Sequence, residues 1–287
     1  MNKTMRLLVT LFAVVCIAGC GSTAKRDDFV TYTKSQLTNE FNNIPSFYFD
    51  GAELVDVRGE YSKEDAIEQG NIMYSADAGV AGLLAQIATH AVINESARSG
   101  KLAALQEKAN EVLLPFEPVI QSLKLINLVN KNSTKFSVLD EYSQDNAVVK
   151  SKPIFFVAQD LSNITLKNIV WVDKKSKRKK SKFLYSNMIQ VSSRNYTKQE
   201  RRLIREDNGS FLEAEFGQLL NASLAIASKD ISGEYASGVQ KTATFKFLKG
   251  RKKNYLRGAK VDTLSNNLVL RNLRSWLIVL PEQSIVQ

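Results

Sequence analysis

Apolar positions change their period along the chain. In the first half they recur at helical spacing. Phe29, Tyr32, Leu37 and Phe41 lie three to five residues apart and predict a helix. The stretch "NNIPSFYFDG" breaks that pattern with Pro45 and Gly51, and Ser62 followed by Asp65 has the form of a capping box opening a second helix. Residues 75–100, "SADAGVAGLLAQIATHAVINESARSG", predict a strong helix. It is apolar nearly all round apart from Gln86, His90, Asn94 and Arg98, spaced four apart. "KLAALQEKANEVLLP" continues as another helix that ends near Pro115.

In the second half the period falls to two. "KFSVLD", "NAVV", "PIFFVA", "NITLKNIVWV", "KFLYSNMIQV", "TATFKFL", "NYLRGAKV" and "SWLIVL" are short and rich in β-branched and aromatic residues, and turn formers bound them. Each predicts a strand. One helix interrupts them: Ser210 with Glu213 forms a candidate capping box, and Phe211 through Ala227 carries an apolar face. Helices followed by strands with one inserted helix predict an α+β fold: N-terminal helices packed with a largely antiparallel β-sheet. The expected organisation is a leader over 1–19, a tether over 20–28 and a single domain over 29–287. That domain is helical to about 132 and sheet-rich from about 133.

The first twenty residues change the picture most. Lys3 and Arg6 precede an apolar run, Leu7 to Ala18, broken only by Thr10. The run is shorter than the ~20 apolar residues that span a bilayer and has the length of a secretory h-region. It closes on Ile17-Ala18-Gly19-Cys20, which resembles the lipobox of bacterial lipoproteins: aliphatic, small, Gly or Ala, then Cys. The resemblance covers the leader alone. It implies cleavage before Cys20 and lipidation of Cys20. Gly rather than Asp at position 21 then implies the outer membrane, facing the periplasm, if the cell has two membranes. Two or three acyl chains would anchor firmly, where one anchors only marginally. The tether "GSTAKRDD" reaches at most ~30 Å, which keeps the domain near the membrane.

On that implication, Cys16 leaves with the leader and Cys20 is modified, and the chain holds no other cysteine. The mature domain is then without disulfides and is held by its core alone. His90 is the single histidine. His- and Cys-based metal sites and Ser-His-Asp or Cys-His nucleophilic arrangements are therefore excluded, and no metal or cofactor is expected. Carboxylate-only chemistry survives on paper through Glu213 with Glu215, or Asp50 with Glu53, but these read equally as capping and surface acids. No phosphate-cradling glycine motif is present. Gly79 and Gly82 fit a close-packed core helix better than a membrane span, because Gln86 and His90 share their helix.

Charge supplies the remaining candidates. The chain has 39 Lys and Arg against 29 Asp and Glu, and losing Lys3 and Arg6 with the leader leaves a formal net of +8. Much of the excess is clustered. Lys174, Lys175, Lys177, Arg178, Lys179, Lys180 and Lys182 fall between two predicted strands, as at the tip of a long hairpin. Arg251, Lys252 and Lys253 occupy a second turn over Gly250–Asn254, and Arg201, Arg202 and Arg205 add a third cluster. A solvated loop is the plain reading of such runs. The functional reading is contact with anionic envelope polymers or lipid head groups, each juxtamembrane cation contributing ~1 kcal/mol near an anionic surface. Nucleic acid is not the expected partner, since the runs lack interleaved aromatics. The expected function is non-enzymatic tethering or binding in the cell envelope. The alternatives are a scaffold or assembly subunit with a protein partner and, further off, a carboxylate-dependent cell-wall hydrolase.

Overall fold

In a computed structural model the residues described are 44–51, 53–61, 103–130, 133–142, 148–173, 183–207, 209–235 and 241–286. The helices expected over 29–41, from Ser62 and over 75–100 lie outside them, as does His90. The described residues form a mixed α and β structure that is mainly β: one eleven-stranded sheet and few helices. Strands β1 (Ser46–Phe49), β2 (Asp56–Gly59) and β3 (Ser137–Val138) are followed by the long β4 (Val148–Val157), β5 (Ile164–Asp173) and β6 (Phe183–Ser192). After the helices come β7 (Ala243–Lys249), β8 (Lys252–Leu264), β9 (Asn267–Asn272), β10 (Leu277–Pro281) and β11 (Ile285–Val286). Their order is β11-β7-β8-β9-β10-β6-β5-β4-β1-β3, with β2 also on β4.

The sheet is less antiparallel than its sequence suggests. β1 pairs with β3 and β4 in parallel, as do β2 with β4 and β10 with β6. "NNIPSFYFDG" is no mere breaker. Pro45 precedes the first residue of β1, a position where a missing N–H costs no ladder bond. Phe47 and Phe49 then point into the core. "NAVV" and "PIFFVA" are one strand, not two. Pro153 lies between Ser151, the last β4 residue paired with β1, and Ile154, the first paired with β2.

Residues 103–110 form helix α1, continued by a 3-10 turn at Glu111–Phe116 that contains Pro115. Short helices α2 (Glu117–Ile120) and α3 (Leu125–Leu128) follow. α1 lies so close to β2 that a Cβ on Gly59 would stand 1.8 Å from the Ala109 carbonyl oxygen. Glycine is required there, and Gln106 and Asn110 hydrogen-bond its C=O and N–H.

Helix α4 (Lys198–Glu206) opens with a capping box between Thr197 and Glu200. Helix α5 (Ser210–Ile231) does not use the expected Ser210 cap. Asp207 accepts from Gly209 N and Phe211 N at 3.0 and 2.6 Å, because Gly209 in a left-handed conformation (φ 88°) turns those amides back onto its carboxylate. α5 lies across β5 and β6. Phe216, Leu220, Leu224 and Ile231, four or seven apart, are fully or almost fully buried, and Phe216 meets Phe155 of β4 at 4.4 Å between ring centroids. Each such side chain contributes at most ~3 kcal/mol.

A second, smaller core lies on the opposite face of the sheet. β10 and β11 are separated by a three-residue 3-10 turn, Glu282–Ser284, yet stand at the two ends of the run β10-β9-β8-β7-β11. The run therefore curls into a ring. Leu268, Leu270, Ile278 and Leu280 from the ring cluster with Ile154, Ile169 and Met188 of the central strands, and Phe245, Phe247 and Leu256 pack against them.

Candidate functional site

The alternation of β7 and β8 sorts their side chains onto two faces. Phe245 and Phe247 of β7 and Leu256 of β8 turn to the second core. The intervening positions turn the other way, and the antiparallel register sets Lys246 opposite Tyr255, Thr244 opposite Arg257 and Leu248 opposite Lys253. Residues two apart share a face. One outward face thus carries Lys246, Lys253, Tyr255 and Arg257. The three cations are exposed, and Tyr255 is 66% exposed. Among the described residues none of Lys246, Arg251, Lys252, Lys253 and Arg257 takes part in an ion pair.

This face sits on a fixed hairpin. The expected turn over 250–254 is shorter in the structure: Lys249 pairs with Lys252, so only Gly250 and Arg251 form the turn, while Lys252 and Lys253 belong to β8. Gly250 at φ +59° supplies the positive φ that a two-residue hairpin needs. Asn195 holds it from both sides, accepting from Gly250 N at 2.8 Å and donating to its carbonyl at 3.3 Å. Lys249 is ion-paired with Glu60, and β11 flanks β7.

Residues 174–182, with Lys174, Lys175, Lys177, Arg178, Lys179, Lys180 and Lys182, lie outside the described residues, and so does Cys20. The strands on either side are antiparallel neighbours as expected, with Asp173 opposite Phe183. That end of the β5–β6 pair is not the end where the β7–β8 turn sits. Gly250 abuts Ser162 and Asn195, at the start of β5 and just past β6. Ten residues of strand, roughly 30 Å, separate the two ends. The third cluster joins the Gly250 end: Arg201 reaches Asp160, whose carboxylate accepts from Ser162 N at 3.1 Å. Arg202 pairs with Glu206 within α4, and Arg205 is exposed. At the other end the described cation is neutralised. Lys150 bridges Asp173 at 3.0 Å and Asp50 at 3.3 Å; its partial burial alone would lower its pKa, but the two carboxylates outweigh this and raise it.

The carboxylates singled out from sequence are spread out. Glu215 accepts from the Tyr196 hydroxyl at 2.7 Å, Glu213 is exposed in the first turn of α5, Asp50 holds Lys150, and Glu53 pairs with Lys124. Among the described residues no three His, Cys, Asp or Glu side chains gather as metal ligands. Within the same residues no helix is long and apolar enough to cross a membrane.

Lys246, Tyr255 and Arg257 were not singled out by charge clustering, because none lies in a basic run. Their signal was the alternation Phe245-Lys246-Phe247 against Tyr255-Leu256-Arg257, which marks a two-faced hairpin. No family model matches the chain, and comparison with curated proteins and with solved structures finds no match.

Proposed function

We propose that this protein is a lipid-anchored, non-enzymatic binding protein of the cell envelope, held by Cys20, that contacts the phosphate groups of envelope lipids through the outward face of the β7–β8 hairpin. The observation that carries the reading is the cation set Lys246, Lys253 and Arg257, unpaired among the described residues, around the 66%-exposed ring of Tyr255, on a hairpin fixed by Asn195. Arg251 and Lys252 extend the same charge to the turn. A phenol ring prefers a boundary where one side is apolar and the other wet, and lysines beside it place their charges at head-group level. With ~1 kcal/mol per cation at an anionic surface, the three face residues supply ~3 kcal/mol. The proposed site of action is the periplasmic side of an outer membrane.

The basic run 174–182, outside the described residues, is a second candidate contact in this reading.

The test uses the chain from Ser22 onward and a variant with Lys246→Ser, Lys253→Ser and Arg257→Ser, titrated against phosphatidylglycerol vesicles, phosphatidylcholine vesicles and lipopolysaccharide. The expected result is binding to the anionic targets that weakens steeply with salt and falls roughly a hundredfold in the variant. Equal binding by both chains would sink the reading. A salt-insensitive, stoichiometric protein partner would replace it with the scaffold alternative.

A further inference from the structure

A cavity of about 580 Å³ opens between α5 and the ends of β6 and β10. Its size falls within the range of small-molecule sites, about 300–1,000 Å³. Its position is also informative. β6 and β10 are parallel neighbours, with Val191 opposite Val279, and the cavity lies just beyond the carboxyl ends of both, between Ser193 and Glu282. In sheets with parallel strands, ligands favour the crevice outside the carboxyl ends. The middle of α5 forms one wall through Glu215, Gln218 and Leu219. The β8–β9 turn forms another, where Ser265 (φ 47°) and Asn266 (φ 65°) are both left-handed although neither is glycine. The Glu282 N–H donates to the Asn266 carbonyl at 2.9 Å and locks that turn against β10.

The lining chemistry rules out the anions that suit the hairpin face. Its one cation, Arg194, is committed to Glu200 through both terminal guanidinium nitrogens, one of them at 2.8 Å. Two carboxylates, Glu215 and Glu282, face the same space. Glu215 uses one oxygen to accept from Tyr196. Four amides converge there: Gln218, Asn266, Asn267 and Gln283. Gln218, Asn266 and Gln283 make no side-chain hydrogen bond among the described residues. Carboxylates accept from hydroxyl donors, and a side-chain amide both donates and accepts, so two of them can meet the oppositely directed N–H and C=O of another amide. Val191, Leu219, Ala222 and Pro281 supply the apolar part of the lining.

We propose that this cleft binds a neutral, N-acetylated saccharide. Sugar hydroxyls meet Glu215 and Glu282, the acetamido N–H and C=O meet the side-chain amides, and its methyl rests on Leu219 and Ala222. The site is independent of the phosphate contact on β7–β8 and extends the protein's chemistry to envelope glycans.

The test titrates the full chain, in a detergent without a sugar head group, with chitotetraose and with maltotetraose by isothermal calorimetry. Gln218→Trp fills the cleft from an exposed helix position, and Glu282→Gln removes an acceptor without changing size. The expected result is saturable binding of chitotetraose, weakened about tenfold or more in each variant, and weaker binding of maltotetraose, which lacks the acetamido group. Lys253→Ser, altering only the hairpin face, leaves chitotetraose binding unchanged. The proposal is overturned if chitotetraose does not bind, if correctly folded Gln218→Trp binds it as the wild type does, or if maltotetraose binds equally well.

Discussion

Beneath α5 the Asp230 carboxylate is 1% exposed and receives three donors: Tyr185 Oη and Asn187 Nδ2, each at 2.9 Å, and an Arg271 guanidinium nitrogen at 3.1 Å. On the β7–β8 hairpin, Lys253 and Arg257 stand in water with no carboxylate beside them among the described residues. Both groups are built on the same sheet, the inner one between it and α5. Burial penalises a charge unless every bond it can make is made, so the inner group is closed and its geometry is fixed. Burial, and then the adjacent Asp230 carboxylate, push the Tyr185 phenol well above its ordinary pKa, which keeps it a donor. A second buried chain follows the same rule: Ser151 Oγ donates to Asn168 Oδ1 at 2.8 Å, and Asn168 Nδ2 donates to Ser223 Oγ at 3.0 Å. In these two buried groups the side chains are paired with one another, whereas the hairpin cations are left open.

The comparison breaks first at its buried end. Arg271→Leu leaves Asp230 buried without its countercharge and is expected to cost ~3 kcal/mol in urea unfolding; a loss below ~0.5 kcal/mol would show that Asp230 does not depend on the pair. Next, Asn168→Leu strands the hydroxyls of Ser151 and Ser223 and costs about 2 kcal/mol. Adding Ser151→Ala and Ser223→Ala should recover much of that, since the loss lies in unmatched groups rather than in missing attraction. Gly250→Ala joins the two regions. Its Cβ would stand 2.8 Å from Ser162 Oγ at a positive φ, so about 1–2 kcal/mol is lost, and vesicle binding should weaken as the hairpin leaves its Asn195 clamp.

The half-exposed Arg194–Glu200 pair is intermediate and pH-sensitive. The Arg194 guanidinium, then the Thr197 N–H, hold the Glu200 carboxyl down at about 2 from an ordinary 4.5. Its folded-state pKa is depressed, so its contribution is present above pH 4.5 and lost as pH falls toward 2. Thermal melts at pH 7 and pH 3 should therefore converge in Glu200→Gln relative to wild type, by about 1 kcal/mol after solvent screening. The smallest stability effect belongs to the open end. Lys253→Ser should change unfolding free energy by less than ~0.5 kcal/mol, yet lower affinity for anionic vesicles roughly fivefold. A stability loss as large as that of Asn168→Leu would mean that the hairpin cations belong to the fold instead.

The long elements were legible because their burial follows their own periodicity. "NITLKNIVWV" and "KFLYSNMIQV" became β5 and β6 within a residue or so, and the stretch from Phe211 became α5. β1, β2 and β9 were missed because four to six residues carry too little pattern and the first two lie among Pro45, Gly51 and Gly59. The cap of α5 was misassigned for a local reason. Asp207 and Ser210 are both good capping residues, and only the left-handed Gly209 between them decides which one the helix uses.

Taken by itself, the amino-acid sequence determined the strand-rich second half, the long helix and the excess of positive charge, all of which depend on residues near one another in the chain. The tertiary structure alone decided which charges are paired, that the β7–β8 turn and the ends flanking 174–182 lie at opposite ends of β5–β6, and that Gln218, Asn266 and Gln283 share one cleft. The reason is that electrostatic and hydrogen-bond partners are set by strand register and by the packing of elements distant in sequence. Asp230 and Arg271 are 41 residues apart, and Lys249 and Glu60 are 189 apart. No periodicity in the chain encodes such distances.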